Sequence, residues 1–311
     1  MLLSVGVVFI TYRSEAYLAS CIPPIATSAL HPKILIVNSG PDHGTAAIAK
    51  DWGAEVMAID EKEFNHGITR EIARKKIGTD IVMMMTPDAY ATGTDFLERL
   101  IEPLLSGQAA FAYARQVAHN TDDFFENFPR RYNYPQSKEI QLITLQDVKR
   151  LKVKTFFCSN SCAAYLNKVL DEVGGFPETL TAEDYLVSIK IIQRGYTKAY
   201  VPEAIVKHSH KYSLKEEFKR NFDTGYIRNK NIEIEQLTGA TEMEGINYAI
   251  SFVKATVQEK PAYLLYAICI LISKYAGFMM GYRSNWLPES VKKKCSSQPY
   301  YWNSIYYKPY K

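Results

Sequence analysis

The stretch Asp80–Leu100, DIVMMMTPDAYATGTDFLERL, decides how the chain is read. Ile81 to Met85 are apolar without alternation, so both faces of that segment need cover, as in a strand inside a parallel sheet. A helical pattern opens at Asp95 and runs to Leu105, the length of a crossover helix. Working outward, the same alternation recurs. Apolar runs stand at Ser4 to Ile10, Ile34 to Val37, Glu55 to Ile59 and Ala109 to Ala114, and helical patterns at Glu15 to Ser28, Thr45 to Trp52 and Thr69 to Lys76. This grammar predicts an α/β class protein with one Rossmann-like, nucleotide-binding domain around a mostly parallel central sheet.

The remainder is less regular. His119 to Lys154 is polar and aromatic with weak periodicity and reads as an insertion or a long active-site loop. A strand is predicted over Thr155 to Tyr165, then a short helix, the turn Gly174-Gly175-Phe176-Pro177, a helix from Glu183 to Arg194 and a strand from Lys198 to Lys207. From Leu214 the pattern is helical to about Tyr282, with a break at Pro261. The expected division is a domain over 1–225, with a nucleotide-binding half at 1–118 and an acceptor half at 119–225, followed by a helical extension over 226–311. Ala262 to Met280 is strongly apolar but interrupted by Ser273 and Lys274, and a full span needs about 20 apolar residues. Two readings stay open: a helix in the membrane interface followed by Lys292-Lys293-Lys294, or a buried helix packed on the domain or on a second copy.

Composition narrows the function. The 311 residues carry a net charge of +4 and a pI near 8.6. That suits an anionic small substrate or a phospholipid surface and disfavours nucleic acid. The odd, scattered Cys21, Cys158, Cys162, Cys269 and Cys295 read as reduced thiols, with Cys158 and Cys162 as core residues rather than half a zinc site. The apolar start has no basic leader, which points to a cytoplasmic protein. Neither G-x-G-x-x-G nor G-x-x-x-x-G-K-[ST] occurs, which argues against dinucleotide oxidoreductases and P-loop NTPases.

In an open α/β sheet, ligands bind beyond the carboxyl ends of the strands. Thr11-Tyr12-Arg13 and Asn38-Ser39-Gly40-Pro41-Asp42 follow two apolar runs and offer groups able to read a nucleoside, although any turn contains such residues. In Phe64-Asn65-His66-Gly67-Ile68-Thr69-Arg70, a glycine at a helix N-terminus and Arg70 suit a diphosphate, while Asn65 or Thr69 suits a cap. Thr86-Pro87-Asp88 places a carboxylate at the mouth of the most buried strand, where it is positioned to hold a divalent cation. Asp184 opens a helix and is a candidate general base, and His208 and His210, two apart after a strand, are candidate metal ligands.

With these residues in view, the chain resembles bacterial family 2 glycosyltransferases, and within them the rhamnosyltransferase-like group that builds O-antigen and cell-wall polysaccharides. The matching stretches are VVFITYR, IVNSGPD, FNHGITRE, MTPDA, YARQ, FFCSNSCAAYL, GGFPETLTAEDYLVSIKIIQRGY and VPEAIVKHSHKYS, between about residues 5 and 225. The resemblance implies a single GT-A type domain and direct displacement with inversion, with Asp184 as base. It implies a dTDP-rhamnose or UDP-sugar donor held by Thr11, Asn38, Arg70 and the metal, with Tyr12, Arg13, Asp42, His66, Gly67, Thr86, Pro87 and Arg115 nearby. It further implies Mg2+ or Mn2+ on Asp88 with a histidine, Asn160 and Glu183 on the acceptor side, and a lipid-linked glycan acceptor at the inner face of the cytoplasmic membrane. Three positions depart from the pattern: Thr86-Pro87-Asp88 lacks a paired aspartate, Glu71 replaces a common asparagine, and Ala114 a common glycine. A non-catalytic nucleotide-sugar-binding scaffold is the alternative reading.

Overall fold

The computed structural model describes residues 3–42, 44–238 and 242–307. The first two residues of the apolar start and the last four of the tyrosine-rich tail lie outside this range. In chain order the elements are β1 (Val5–Thr11), α1 (Glu15–Cys21), α2 (Pro23–Ala26), β2 (Lys33–Asn38), α3 (Thr45–Asp51), β3 (Glu55–Ala58), α4 (His66–Ile77), β4 (Ile81–Met85), β5 (Tyr90–Thr92), α5 (Phe96–Leu105) and β6 (Phe111–Val117). There follow α6 (Phe124–Asn133), β7 (Gln141–Ile143), α7 (Val148–Leu151), β8 (Cys162–Leu166), α8 (Asn167–Glu172), α9 (Glu183–Gln193) and β9 (Lys198–Lys207). The chain closes with α10 (Leu214–Lys230), α11 (Glu233–Thr238), α12 (Glu242–Glu259), α13 (Leu264–Tyr282) and α14 (Glu289–Cys295).

The strands form one sheet in the order β3-β2-β1-β4-β8-β6-β9-β5, with β7 also paired to β9. The pairings β1–β2, β1–β4, β2–β3 and β6–β9 are parallel, and β8 runs antiparallel to both β4 and β6. With β5 and β7 antiparallel to β9, six of the nine strands (β1, β2, β3, β4, β6, β9) share one direction. The mostly parallel expectation therefore holds for direction, while the half after β4 is mixed. β1 and β4 are buried along their whole length, as their unbroken apolar runs require. One face packs Val7, Phe9, Met83 and Met85 under α1, α2 and α5, and the other packs Val8, Val82 and Met84 under α4, α8 and α9. Cys158 and Cys162 are buried free thiols in these cores, as expected.

Two regions differ from the sequence reading. Residues 119–154 are not a structureless loop. Asp123 caps α6 by accepting from the Phe125 and Glu126 amides, and Phe124 and Phe128 pack on Phe252 of α12. The apolar partners of α6 come from more than a hundred residues downstream, so local patterning understated it. The strand expected over Thr155 to Tyr165 begins only at Cys162; residues 152–156 form a 3-10 turn. The cause is Lys198, fully buried on β9, whose ammonium takes the carbonyls of Lys154, Thr155 and Phe157 at 3.2, 2.7 and 2.7 Å and so removes them from any ladder.

In the C-terminal region, α10 and α13 lie backbone against backbone. A Cβ at Gly277 would collide with the Phe218 carbonyl, one at Gly281 with the Phe222 carbonyl, and one at Gly225 with the Phe278 carbonyl. The expected boundary at 225 falls inside α10, a helix that continues to Lys230.

Candidate active site

The six co-directional strands end on one edge, and two joined cavities open there. The first, about 850 Å³, is lined by Thr11, Tyr12, Tyr17, Phe64, Pro87 and Tyr300 among others. The second, about 670 Å³, is lined by Asn160, Glu183, Asp184, His208, Arg220 and Tyr266 among others. His66, Arg70, Thr86, Asp88, His210 and Gln298 line both and form the passage between them.

At that passage Asp88 Oδ2 stands 3.4 Å from His208 Nε2 and 3.3 Å from His210 Nε2. The three side chains offer one ligand atom each, all within 4.8 Å of one another. The hydrogen bonds behind His208 fix what it offers. Arg130 is a pure donor and places Nη1 2.6 Å from Gln116 Oε1, so the amide oxygen faces it. The same oxygen lies 3.0 Å from His208 Nδ1, which must therefore donate, and the Gln116 amide nitrogen donates to Ser159 Oγ at 2.9 Å. A neutral His208 then turns the bare lone pair of Nε2 toward the Asp88 carboxylate. Burial lowers the pKa of both histidines, His210 to about 4, so at neutral pH two neutral imidazoles and a carboxylate converge. Such a donor set, with its histidine oriented from behind, fits a divalent cation.

The second group stands at the start of α9. Ala182, its N-cap, has φ 63°, a left-handed conformation that turns the chain so that Glu183 and Asp184 open the helix. Asp184 accepts from the Asn160 amide at 2.9 Å through Oδ2 and from the Tyr185 amide at 2.7 Å through Oδ1. Burial, then the neighbouring Glu183 charge, raises its pKa to about 7, which suits a base working at neutral pH. Burial also opposes charge on Glu183, but Arg70, His66 and Asn160 outweigh it and hold its pKa low. Arg70 Nε lies 3.2 Å from Glu183 Oε1, and Asn160 Nδ2 donates to the same oxygen at 2.9 Å. Asn160 thus braces both carboxylates, and its own Oδ1 accepts from Tyr165.

Of the residues expected here, Thr11, Tyr12, His66, Arg70, Thr86, Pro87, Asp88, Asn160, Glu183, Asp184, His208 and His210 line the cavities. Five do not. Asn38 is buried in its own turn, accepting from Thr11 and the Gly40 amide and donating to the Gly40 carbonyl. Asp42 is exposed and accepts from the Gly44 and Ala46 amides at the start of α3. Arg13 lies outside both cavities, 5.3 Å from the Tyr12 ring centre. Gly67 is required by packing rather than by a ligand, since a Cβ there would strike the Pro177 carbonyl. Arg115 follows a bulge in β6 that turns Gln116, not Arg115, to the cleft. The Thr11 hydroxyl, though at the cavity, has its one proton shared between the Val37 carbonyl and Asn38 Oδ1. Asn65 is the α4 cap, and Glu71 faces away, held by Arg74 and accepting from the Phe176 amide.

Other site residues escaped the sequence reading. Gln116 stood in the YARQ stretch, but nothing in the pattern marked it. Tyr300 had no signal at all: its hydroxyl lies 2.9 Å from His66 Nε2 and its ring packs edge-on to Phe64, so the C-terminal segment walls the first cavity.

Comparison with known proteins identifies the family and the fold. The family profile "Glycosyl transferase family 2" matches residues 6–174. The chain is 32% identical over 301 residues to the O-antigen chain rhamnosyltransferase RfbN of Salmonella typhimurium, covering 96% of this chain and 95% of that one. It is 33% identical over 277 residues to the O-antigen chain rhamnosyltransferase WbaN of Salmonella anatum, covering 88% and 87%. Among solved structures, the mannosyltransferase PcManGT from Pyrobaculum calidifontis, in complex with GDP-Man and Mn2+, superposes with a TM-score of 0.61 at 15% identity, covering 91% of this chain and 88% of that one. The last likeness concerns the fold, which is GT-A.

Proposed function

The chain belongs to glycosyl transferase family 2, and from that premise we propose that it moves an L-rhamnosyl unit from dTDP-L-rhamnose to a lipid-linked glycan in O-antigen synthesis, with inversion at the anomeric carbon. The observation that carries this reading is the junction of the two cavities. A donor in the first meets Asp88 and His210 at the shared rim, with His208 beside them on the second, where an acceptor meets Asp184. In this reading 1–225 is the catalytic domain and 226–311 its helical attachment, which also lends Tyr300 to the donor wall.

The steps follow from the side chains. Tyr12, Phe64 and Tyr300 give the first cavity aromatic surface for a nucleoside, and Arg70 at the rim, paired with Glu183 and donating Nη1 to the His66 carbonyl, would bring its positive charge near the diphosphate. A Mg2+ or Mn2+ ion held by Asp88 and the two histidines would neutralise charge on the departing diphosphate. Asp184 takes the proton of the acceptor hydroxyl as that oxygen bonds to the anomeric carbon, and the bond from that carbon to the diphosphate oxygen breaks. One displacement, with one base, inverts the centre. Glu183 cannot substitute for Asp184, because Arg70 and Asn160 hold it.

The test is nucleotide release from dTDP-rhamnose and from UDP-sugars, with Mn2+ and with Mg2+, by wild type and Asp184→Asn. Release is expected with dTDP-rhamnose, falling about 10²–10⁴-fold in the variant. Turnover by Asp184→Asn near the wild-type rate would remove the base assignment, and release only from another nucleotide sugar would replace the donor.

A further inference from the structure

The hairpin formed by α12 and α13 has two unlike sides. Its inner side packs Phe252, Ala267 and Ile270 against α6, while Tyr248, Phe252, Tyr266 and Ile270 wall the second cavity. Its outer side is apolar and open. On α12, Met243, Ile246, Ile250 and Val257 recur at helical spacing, with Ile250 63% exposed, and on α13 Leu265, Ile272 and Tyr275 are 74%, 62% and 67% exposed. Isolated exposed hydrophobic residues need no explanation, but two adjacent helical stripes make a patch that does.

The charges say what covers it. The single charge within α13, Lys274, points inward to Glu217 of α10 at 2.7 Å, so the outer stripe of α13 carries none. Among the described side chains of α12, Glu244 and Glu259 are turned to Lys154 and Arg131, and the charge on the outer stripe is Lys254, with exposed Lys260 at the hairpin turn. An apolar face edged by lysines and tyrosines matches the boundary of an anionic bilayer. The helix does not cross it. Although the segment Pro261–Tyr282 is long and apolar enough to span, α13 is fixed along α10 through Gly277, Gly281 and the bond from Ser273 to the Leu214 carbonyl. Spanning would drag Lys215, Glu216, Arg220 and Asp223 of α10 into hydrocarbon.

We propose that the outer face of the α12–α13 hairpin lies on an anionic phospholipid surface, so that the membrane abuts the same two helices that wall the acceptor cavity. The inference rests on the lipid-linked acceptor proposed above, and its partner is the bilayer rather than a second copy of the chain. A glycan anchored in that surface then enters the cleft alongside Tyr266 and Tyr248, with its attachment end still in the lipid.

The test is co-sedimentation of the full chain with vesicles of phosphatidylcholine plus phosphatidylglycerol, and with phosphatidylcholine alone, for wild type and for Ile250→Glu/Ile272→Glu. Both positions are exposed and outside the cavities, so the fold and nucleotide release to a soluble acceptor are expected to stay intact. Wild type should bind the anionic vesicles, and the double variant should bind them at least about tenfold more weakly. No binding by wild type, equal binding by the variant, or a wild-type dimer that the variant splits would each overturn the proposal. Sedimentation needs no turnover, so its failure leaves the transferase reading standing, and a loss of nucleotide release leaves the vesicle result readable.

Discussion

Replacing Gln116 by leucine tests the cation site without any chemistry on substrate. Gln116 is buried and makes three hydrogen bonds, to Ser159 Oγ and from Arg130 and His208 Nδ1. Leucine is of similar size, so the loss is chiefly of acceptors: the His208 ring is freed to turn, and its Nδ1–H is left without a partner. Removing the group that orients a ligating histidine weakens metal affinity by about 10–100-fold, or ~1.4–2.7 kcal/mol. The unpaired donors cost stability of about 1–3 kcal/mol, so folding is first checked by circular dichroism and melting. Gln116→Glu keeps an acceptor facing both Arg130 and His208 and should hold affinity within a few-fold of wild type, about 1 kcal/mol at most. The assay is Mn2+ titration read by electron paramagnetic resonance in the absence of nucleotide. Nitrogen NMR of the metal-free protein reports the His208 tautomer, with the proton expected on Nδ1. A folded Gln116→Leu chain that binds Mn2+ within about twofold of wild type would refute the reasoning, as would a proton on Nε2.

Three further outcomes follow. Asp184→Asn should lose most activity and remove a pH dependence: the folded pKa of Asp184 is raised to about 7 from 3.8, so its ionisation costs stability as pH rises between those values, while the asparagine NH2 faces one of the two backbone N–H groups that Asp184 accepts from, a penalty constant with pH. Between pH 4 and pH 8 the variant should gain about 1–3 kcal/mol relative to wild type in denaturant melts, and the acidic limb of the wild-type pH–rate profile should fall near 7. Tyr300→Ala removes the contacts with His66 and Phe64, and should raise the donor Kd about tenfold with little change in Mn2+ affinity, measured by calorimetry. Gly281→Val places a side chain against the Phe222 carbonyl and should cost at least about 3 kcal/mol in chemical denaturation, whereas Gly107→Ala, where nothing lies nearby, should cost much less despite its positive φ.

What could be read from sequence had a local cause. β1 and β4 were legible because burial on both faces demands unbroken apolar runs, and the place of Asp88 at the cleft because a carboxylate at the mouth of such a strand is poorly explained by packing, whereas Asp184 is spelled like any acidic residue in the first turn of a helix. Asn38 and Asp42 misled for the opposite reason: a polar residue satisfying its own turn is spelled like one reaching for a ligand. Asn160 enters the site at the start of an antiparallel strand, a place fixed by Lys198 holding the carbonyls before it, and no spacing rule announces that. Tyr300 and the partners of α6 depended on contacts between distant segments.

The contact between Tyr300 and His66 joins positions 234 residues apart. The donor cavity is therefore not a portable module. A chimaera that exchanges residues 6–174, the span of the family profile, between two related transferases would carry one protein's β1 to β8 with Tyr12 and Phe64 and retain the other's β9 and Tyr300. Swaps intended to change the sugar should move residues 293–303 together with the N-terminal half, and donor preferences inferred by aligning only the matched region leave out a side of the pocket.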